Sequence, residues 1–373
     1  MDFSKLDLFM DQMTQRGVPA CELSVTKDGE CVYRKLVGYS DEAGTKPTSN
    51  KDIYYIYSAT KVLTCISALR LIEEGKLSLD DPVSKYIPEF ADAKVKRKDG
   101  SITPAEKIMT VEHLFLMTGG MTYDRDQEKI DAAPDKSTVG LAREMAKAPL
   151  IFEPGTHYKY SLCHDILGAV VAVASGKGLW EYMNEIMFAP LGITDIGFFP
   201  TDEQRSRVST LYIYRNGIGK SVPCEEYLRA NISDEYESGG GGLFATVDDY
   251  MKIITLIACG GTTKDGYTLL KPETIELMKH NRLCPEAHDD YVVHRLFGYG
   301  WGLCGRVHID PVRSGLRTPV GEFGWDGAAG ALVLMDTENK VAIYYGQHVM
   351  KCYQVLYSAH HTIKNLVYEG LGL

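Results

Sequence analysis

The chain has 373 residues, 45% hydrophobic and 24% charged, close to average globular usage, which excludes disordered, collagen-like and coiled-coil chains. Its 40 basic and 50 acidic residues leave a net charge of −10, so the expected partner is a small molecule, with no nucleic acid and no membrane surface. At roughly 100–200 residues per domain, the length allows two domains or one large domain with an insertion.

Met1–Arg16 mixes acids with apolar residues and has no uninterrupted apolar run, so no secretory signal is expected there. Elsewhere no stretch reaches about 18 consecutive apolar residues, and a cytoplasmic location is expected. Apolar residues at Phe3, Leu6, Phe9, Met10 and Met13 predict a helix over Phe3–Arg16, broken by Gly17-Val18-Pro19. Cys21–Val25 and Cys31–Val37 flank Lys27-Asp28-Gly29-Glu30, and Asp-Gly between β-rich runs signals a hairpin. Helical spacing then dominates at 61–74, 110–117, 139–147 and 162–175, while Lys94–Lys98 reads as a solvated loop. Near the other end, Ala331–Met335 and Val341–Gly346 flank a turn at Asp336–Asn339, and Tyr353–Tyr368 is helical again. Burying these faces together calls for an α/β (α+β) fold, an antiparallel sheet flanked by terminal helices with a mostly helical insertion. The expected division is 1–75 plus 240–373 for the sheet domain and 76–239 for the helical one, with the active site at their junction. The 9 cysteines are odd in number and form no Cys-x-x-Cys, so they are read as reduced core thiols, without a metal or cofactor.

Ser-x-x-Lys occurs twice, as Ser24-Val25-Thr26-Lys27 and as Ser58-Ala59-Thr60-Lys61. On a strand, residues three apart face opposite sides, whereas on a helix they lie one turn apart on one face. Ser24 falls in the hairpin. Ser58 follows the β-type run Ile53–Tyr57 and opens an apolar helix with Val62, Leu63, Ile66, Leu69 and Ile72 inward, closed by Gly75. There Lys61 can reach the serine hydroxyl, which becomes a nucleophile only when a base takes its proton. The competing reading is that Ser58 merely caps the helix.

The segment Tyr57-Ser-Ala-Thr-Lys61, running on through Leu69-Arg-Leu-Ile-Glu-Glu-Gly-Lys to Asp81-Pro-Val-Ser-Lys-Tyr-Ile87, resembles the serine β-lactamase and penicillin-binding superfamily. The nearest branch is the class C β-lactamase-like one that includes esterases. Thr110–Met121, Phe152-Glu-Pro-Gly-Thr156 leading to Tyr160-Ser161, Glu237–Leu243 and Phe323–Gly330 follow in the family's order, so the resemblance spans essentially the whole chain. It implies a β-lactamase/transpeptidase-like fold and a catalytic set of Ser58, Lys61 and Tyr160, the tyrosine shuttling a proton between nucleophile and leaving group. Tyr160 alone would read as a packing aromatic with a bonded hydroxyl; the ordered motifs favour catalysis.

Two departures bear on substrate. Many class C lactamases carry Asn two residues after the tyrosine, where this chain has Leu162, and the third motif, typically Lys-Thr-Gly or His-x-Gly, is Trp325-Asp326-Gly327. Losing that lysine removes a cation for a substrate carboxylate, while the N–H groups of Ser58 and Ala328 remain as the expected oxyanion hole. Ser161, Leu162, Trp325, Asp326 and Gly327 are the expected substrate-binding residues. Gly239–Gly242 lacks the Gly-Lys-Ser/Thr ending of a phosphate loop. His157 and His164 bracket Tyr160 and are candidates to line the pocket, whereas His360-His361 reads as surface. The function that follows is a metal-free serine hydrolase working through an acyl-enzyme, foremost a carboxylesterase on small acyl esters. The alternatives are a β-lactamase or D-amino-acid amidase and, from another class, a catalytically silent binding protein.

Overall fold

The computed structural model describes residues 1–124, 127–224, 233–292 and 297–373. Seven strands, Ala20–Lys27 (β1), Glu30–Gly38 (β2), Tyr299–Gly302 (β3), Gly305–His308 (β4), Phe323–Gly324 (β5), Leu332–Asp336 (β6) and Val341–Gln347 (β7), form one antiparallel sheet in the order β3-β4-β5-β6-β7-β1-β2. The chain's two ends meet where β1 pairs with β7, Leu23 lying opposite Tyr345. The β1–β2 hairpin turns through Asp28 (φ 52°) and Gly29 (φ 84°). Two successive positive φ values match the twist of the strands they join, which is why Asp-Gly stands there.

Alternation along the strands divides the apolar residues between the two faces. Cys21, Leu23, Val25, Leu332, Leu334, Val341, Ile343 and Tyr345 share a core with Leu6 and Met10 of helix Ser4–Asp11 (α1) and with Ile363 and Val367 of helix His360–Leu371. Val333, Met335, Ala342 and Tyr344 belong to a second core. That core runs on through helix Val247–Ala258 into helices Thr60–Glu73 (α2) and Cys163–Ser175 (α3). The helical middle of the chain thus shares continuous apolar packing with one face of the sheet.

Helix α2 is buried on all sides from Thr60 to Leu69, so its polar residues need internal partners. Thr60 Oγ1 accepts from the Leu243 N–H at 3.1 Å, Thr64 donates to the Gly239 carbonyl at 2.7 Å, and Ser67 donates to the Leu63 carbonyl at 2.8 Å. The Gly239–Gly242 run is therefore a packing element against α2 and α3. A Cβ on Gly239 would stand 2.6 Å from the His164 carbonyl oxygen.

Several boundaries differ from the sequence expectation. Helix α1 ends at Asp11 and a separate tight turn spans Thr14–Arg16, closed by Gly17 at φ 85°. Only Tyr54–Tyr55 of the Ile53–Tyr57 run is a strand, paired with Phe244–Ala245. Lys94–Lys96 is not a solvated loop but a strand paired with Ile102–Pro104, because Val95 turns inward and is buried. The C-terminal helix is continuous from Tyr353 as expected, with a wider π segment over Val355–Ala359 before the regular helix His360–Leu371.

Candidate active site

Tyr57 enters the site at φ 46°, a left-handed conformation rare outside glycine. Tyr57–Ala59 then form one tight turn, and α2 starts at Thr60 with no side chain capping it. Ser58 is thus no helix cap. Lys61 Nζ donates to Ser58 Oγ at 3.1 Å, to Tyr123 Oη at 3.1 Å and to the Gly240 carbonyl, which occupies all three ammonium protons. The side chain is 1% exposed. Burial disfavours its charge, but Tyr123, Tyr160 and Asp165 outweigh that, and Lys61 is held above the ordinary lysine value. It stands in the site as a cation.

Tyr160 and Trp325 arrive from opposite sides. Lys61 Nζ lies 4.9 Å from the centroid of the Tyr160 ring, and Trp325 Nε1 donates to Tyr160 Oη at 2.8 Å. Trp301 packs edge-on against Trp325, with centroids 4.5 Å apart, and Tyr123 leans on Tyr160 at 5.7 Å. Four aromatic rings therefore pack together beside the ammonium, Tyr123 and Tyr160 facing it directly and the two tryptophans backing Tyr160.

The turn after Trp325 is fixed from behind. Gly327 comes so close to the strand before Ser58 that a Cβ there would meet the Ile56 carbonyl oxygen at 2.4 Å, so only glycine permits this approach. Gln347 Nε2 donates to the Ala329 carbonyl and His360 Nε2 to the Gly330 carbonyl, both at 2.9 Å. Arg306, 1% exposed, joins Nη1 to Asp326 Oδ1 at 2.6 Å and Nη2 to the Val333 carbonyl at 2.8 Å. Burial disfavours the Asp326 carboxylate, yet Arg306 and His360 more than offset this and keep it well below the usual carboxylate range.

The family profile described as Beta-lactamase matches residues 7–348. The chain belongs to the beta-lactamase family. It is 31% identical over 337 residues to the lovastatin esterase of Penicillium rubens, a match covering 86% of this chain and 79% of that protein. With esterase EstB of Burkholderia gladioli it shares 28% identity over 358 residues, 88% of this chain and 85% of the other. The solved structure of EstCE1, a hydrolase with promiscuous acyltransferase activity, has the same fold, with a TM-score of 0.81, 24% identity and 98% of each chain covered. The protein is a serine hydrolase.

Within this beta-lactamase family member, Ser58, Lys61, Tyr160, Trp325 and Gly327 come together, and other expected residues do not join them. Ser161 is fully buried and its hydroxyl faces Cys163 Sγ at 3.2 Å and Met117 Sδ at 3.8 Å, so it points into the core rather than at substrate. Asp326 likewise turns its charge away, towards Arg306. Leu162 is buried and lines a cavity of about 70 Å³ with Met121, Ile130 and Leu150. His157 pairs with Asp290 at 2.8 Å on the surface. His164 is fully buried, donates to the Phe115 carbonyl at 3.1 Å, and is pushed down to about 3 by burial and by Lys61, a neutral core histidine. His360 is buried, against the surface expectation, whereas its neighbour His361 is exposed. Tyr123 is the site residue that the sequence reading missed. It stands just beyond the Thr110–Met121 motif, and that adjacency was its only sequence signal. No helix among the described residues is long and apolar enough to cross a membrane.

Proposed function

We propose that the protein is a carboxylesterase acting on small, uncharged acyl esters. The observation that carries this reading is Trp325, whose indole donates to Tyr160 Oη where a carboxylate-binding lysine would otherwise meet the substrate. Ser58 Oγ attacks the ester carbonyl, forming the acyl–oxygen bond while its proton moves to Tyr160 Oη and Lys61 stays a cation beside them. The N–H groups of Ser58 and Ala328 receive the developing oxyanion, and the Ala328 turn is braced by the Gln347 and His360 bonds that flank it. Tyr160 in turn gives a proton to the alkoxide as the ester C–O bond breaks, so the relay ends with the tyrosine hydroxyl restored. Water then attacks the acyl-enzyme, and the acid leaves as Ser58 regains its proton.

Trp325 Nε1–H takes one acceptor position of Tyr160 Oη and so fixes the orientation of that hydroxyl. Lys61 meets Ser58 as a cation, so its part is to stabilise negative charge and steer the proton, and Tyr160 accepts it. The missing charge-assisted contact to a substrate carboxylate is worth roughly 1.5–3 kcal/mol, or about ten- to a hundredfold in kcat/KM. Steady-state rates on p-nitrophenyl acetate and butyrate, nitrocefin and a D-alanyl amide test the ranking. The esters should lead by at least that margin, and nitrocefin turnover equal to that of the esters would move the protein to the β-lactamases.

A further inference from the structure

Beside Asp326 lies a cavity of about 200 Å³ that the catalytic reading does not use. Phe297, Leu356 and Tyr357 contribute apolar walls, Lys364, His360 and the paired Arg306 and Asp326 line its interior, and Arg313 lines it from an exposed position. Lys364 is 4% exposed and donates to Tyr299 Oη at 2.8 Å and to Glu322 Oε1 at 3.4 Å, which leaves one ammonium proton unassigned. His360 is 3% exposed, and its Nδ1 lies 3.6 Å from Asp326 Oδ2 without a hydrogen-bond partner. A buried ammonium proton of this kind is costly unless an acceptor satisfies it, whereas His360 Nδ1, with Nε2–H given to the Gly330 carbonyl, offers only a lone pair.

The charges do not balance either. Arg306 faces Asp326 and Glu322, and Lys364 faces Glu322, so two acids answer two buried bases. Arg313 makes no ion pair among the described residues, and it supplies an unmatched positive charge where the cavity meets solvent. Cationic groups at the base and rim of an apolar-walled space complement an anion with an apolar body. Cavities of about 150 Å³ accept a benzene ring, so this one has room for a carboxylate carrying a single ring or a short alkyl chain.

We propose that this cavity is a second ligand site, separate from Ser58, for small monocarboxylates with an apolar body. Acids released by hydrolysis of small esters belong to that class. The test is calorimetric titration of butyrate and benzoate into protein whose Ser58 has been blocked with a fluorophosphonate. Butanol and benzyl alcohol, the same bodies without charge, serve as controls. One saturable site per chain is expected for the acids and none for the alcohols, with binding roughly tenfold or more weaker in Arg313→Ala and in Lys364→Met, the loss of one charged contact. Arg313 is exposed, so its variant reports on binding even where the buried Lys364 change disturbs folding. Should Ser58 resist the phosphonate, the comparison of unblocked wild type with Arg313→Ala decides by itself, which separates failure of the catalytic reading from failure of this one. No saturable binding of either acid, equal binding of the alcohols, or affinity unchanged in Arg313→Ala would overturn the proposal.

Discussion

Two segments of this chain carry the same four-residue pattern in different backbones. In β1, Ser24 is buried on the sheet and Lys27 pairs with Asp28 at 2.7 Å beside the hairpin turn. At the start of α2, the same spacing brings Lys61 Nζ within 3.1 Å of Ser58 Oγ. The strand's period of two separates what the helix's period of 3.6 brings together. Identity of residues therefore confers nothing until the backbone decides which side chains share a face, and the β1 copy is an internal control for the α2 copy.

The sharpest way to break the comparison is at the serines. Ser58→Ala is expected to abolish esterase turnover and phosphonate labelling, and Ser24→Ala to leave both intact. Labelling of the Ser58 variant, read by intact mass, would end the assignment. The lysines and Tyr160 come next. Lys61→Ala and Tyr160→Phe should each lower kcat by roughly 10² to 10⁴, and together by less than the product, because they serve one proton path. Lys27→Ala should leave kcat unchanged, and a Lys61 variant with normal turnover would refute its role.

A third test treats the β1 copy as structure. Glu22, on the same face of β1 as Ser24, is fully buried, has no hydrogen-bond partner for either oxygen, and is pushed up to about 7 by burial, against the pull of Arg34. A carboxyl raised above its unfolded value of 4.5 contributes stability that is full below that value and lost as pH rises through about 7. Wild type should therefore lose on the order of 3 kcal/mol between pH 4.5 and 8 relative to Glu22→Gln. Denaturant melts of both proteins at the two pH values check this, and equal pH slopes would refute it. The smallest effect is expected at Tyr123→Phe, which removes one of three acceptors of the Lys61 ammonium. Turnover should fall about tenfold or less, and a loss as large as that of Tyr160→Phe would give Tyr123 a share of the proton transfer.

The sheet, the hairpin at Asp28-Gly29 and the pairing of Ser58 with Lys61 were legible because each rests on local periodicity or turn chemistry. The start of α2 was misplaced by two residues, since nothing in the sequence marks Tyr57 as left-handed. The Trp325-Asp326-Gly327 motif gave the position of Asp326 but not its direction, which is decided by Arg306 from a neighbouring strand. His360 read as surface because a lone helix does not say which neighbour covers it, and the neighbour is the Gly330 carbonyl. Tyr123 belongs to a segment without periodicity, so only its contact with Lys61 reveals it.

The left-handed Tyr57 has a cost and a use. A non-glycine residue in that region carries roughly 1–3 kcal/mol of strain, sustained by the packing around it. Here the surroundings include Gly241, where a Cβ would make only ordinary contact, at 3.7 Å, with the Tyr57 backbone. Relaxing the strain by Tyr57→Gly would make the backbone more comfortable and the nucleophile less firmly aimed. Stability and reactivity are thus set against each other at the peptide before Ser58, and a more robust version of this enzyme obtained there would be a slower one.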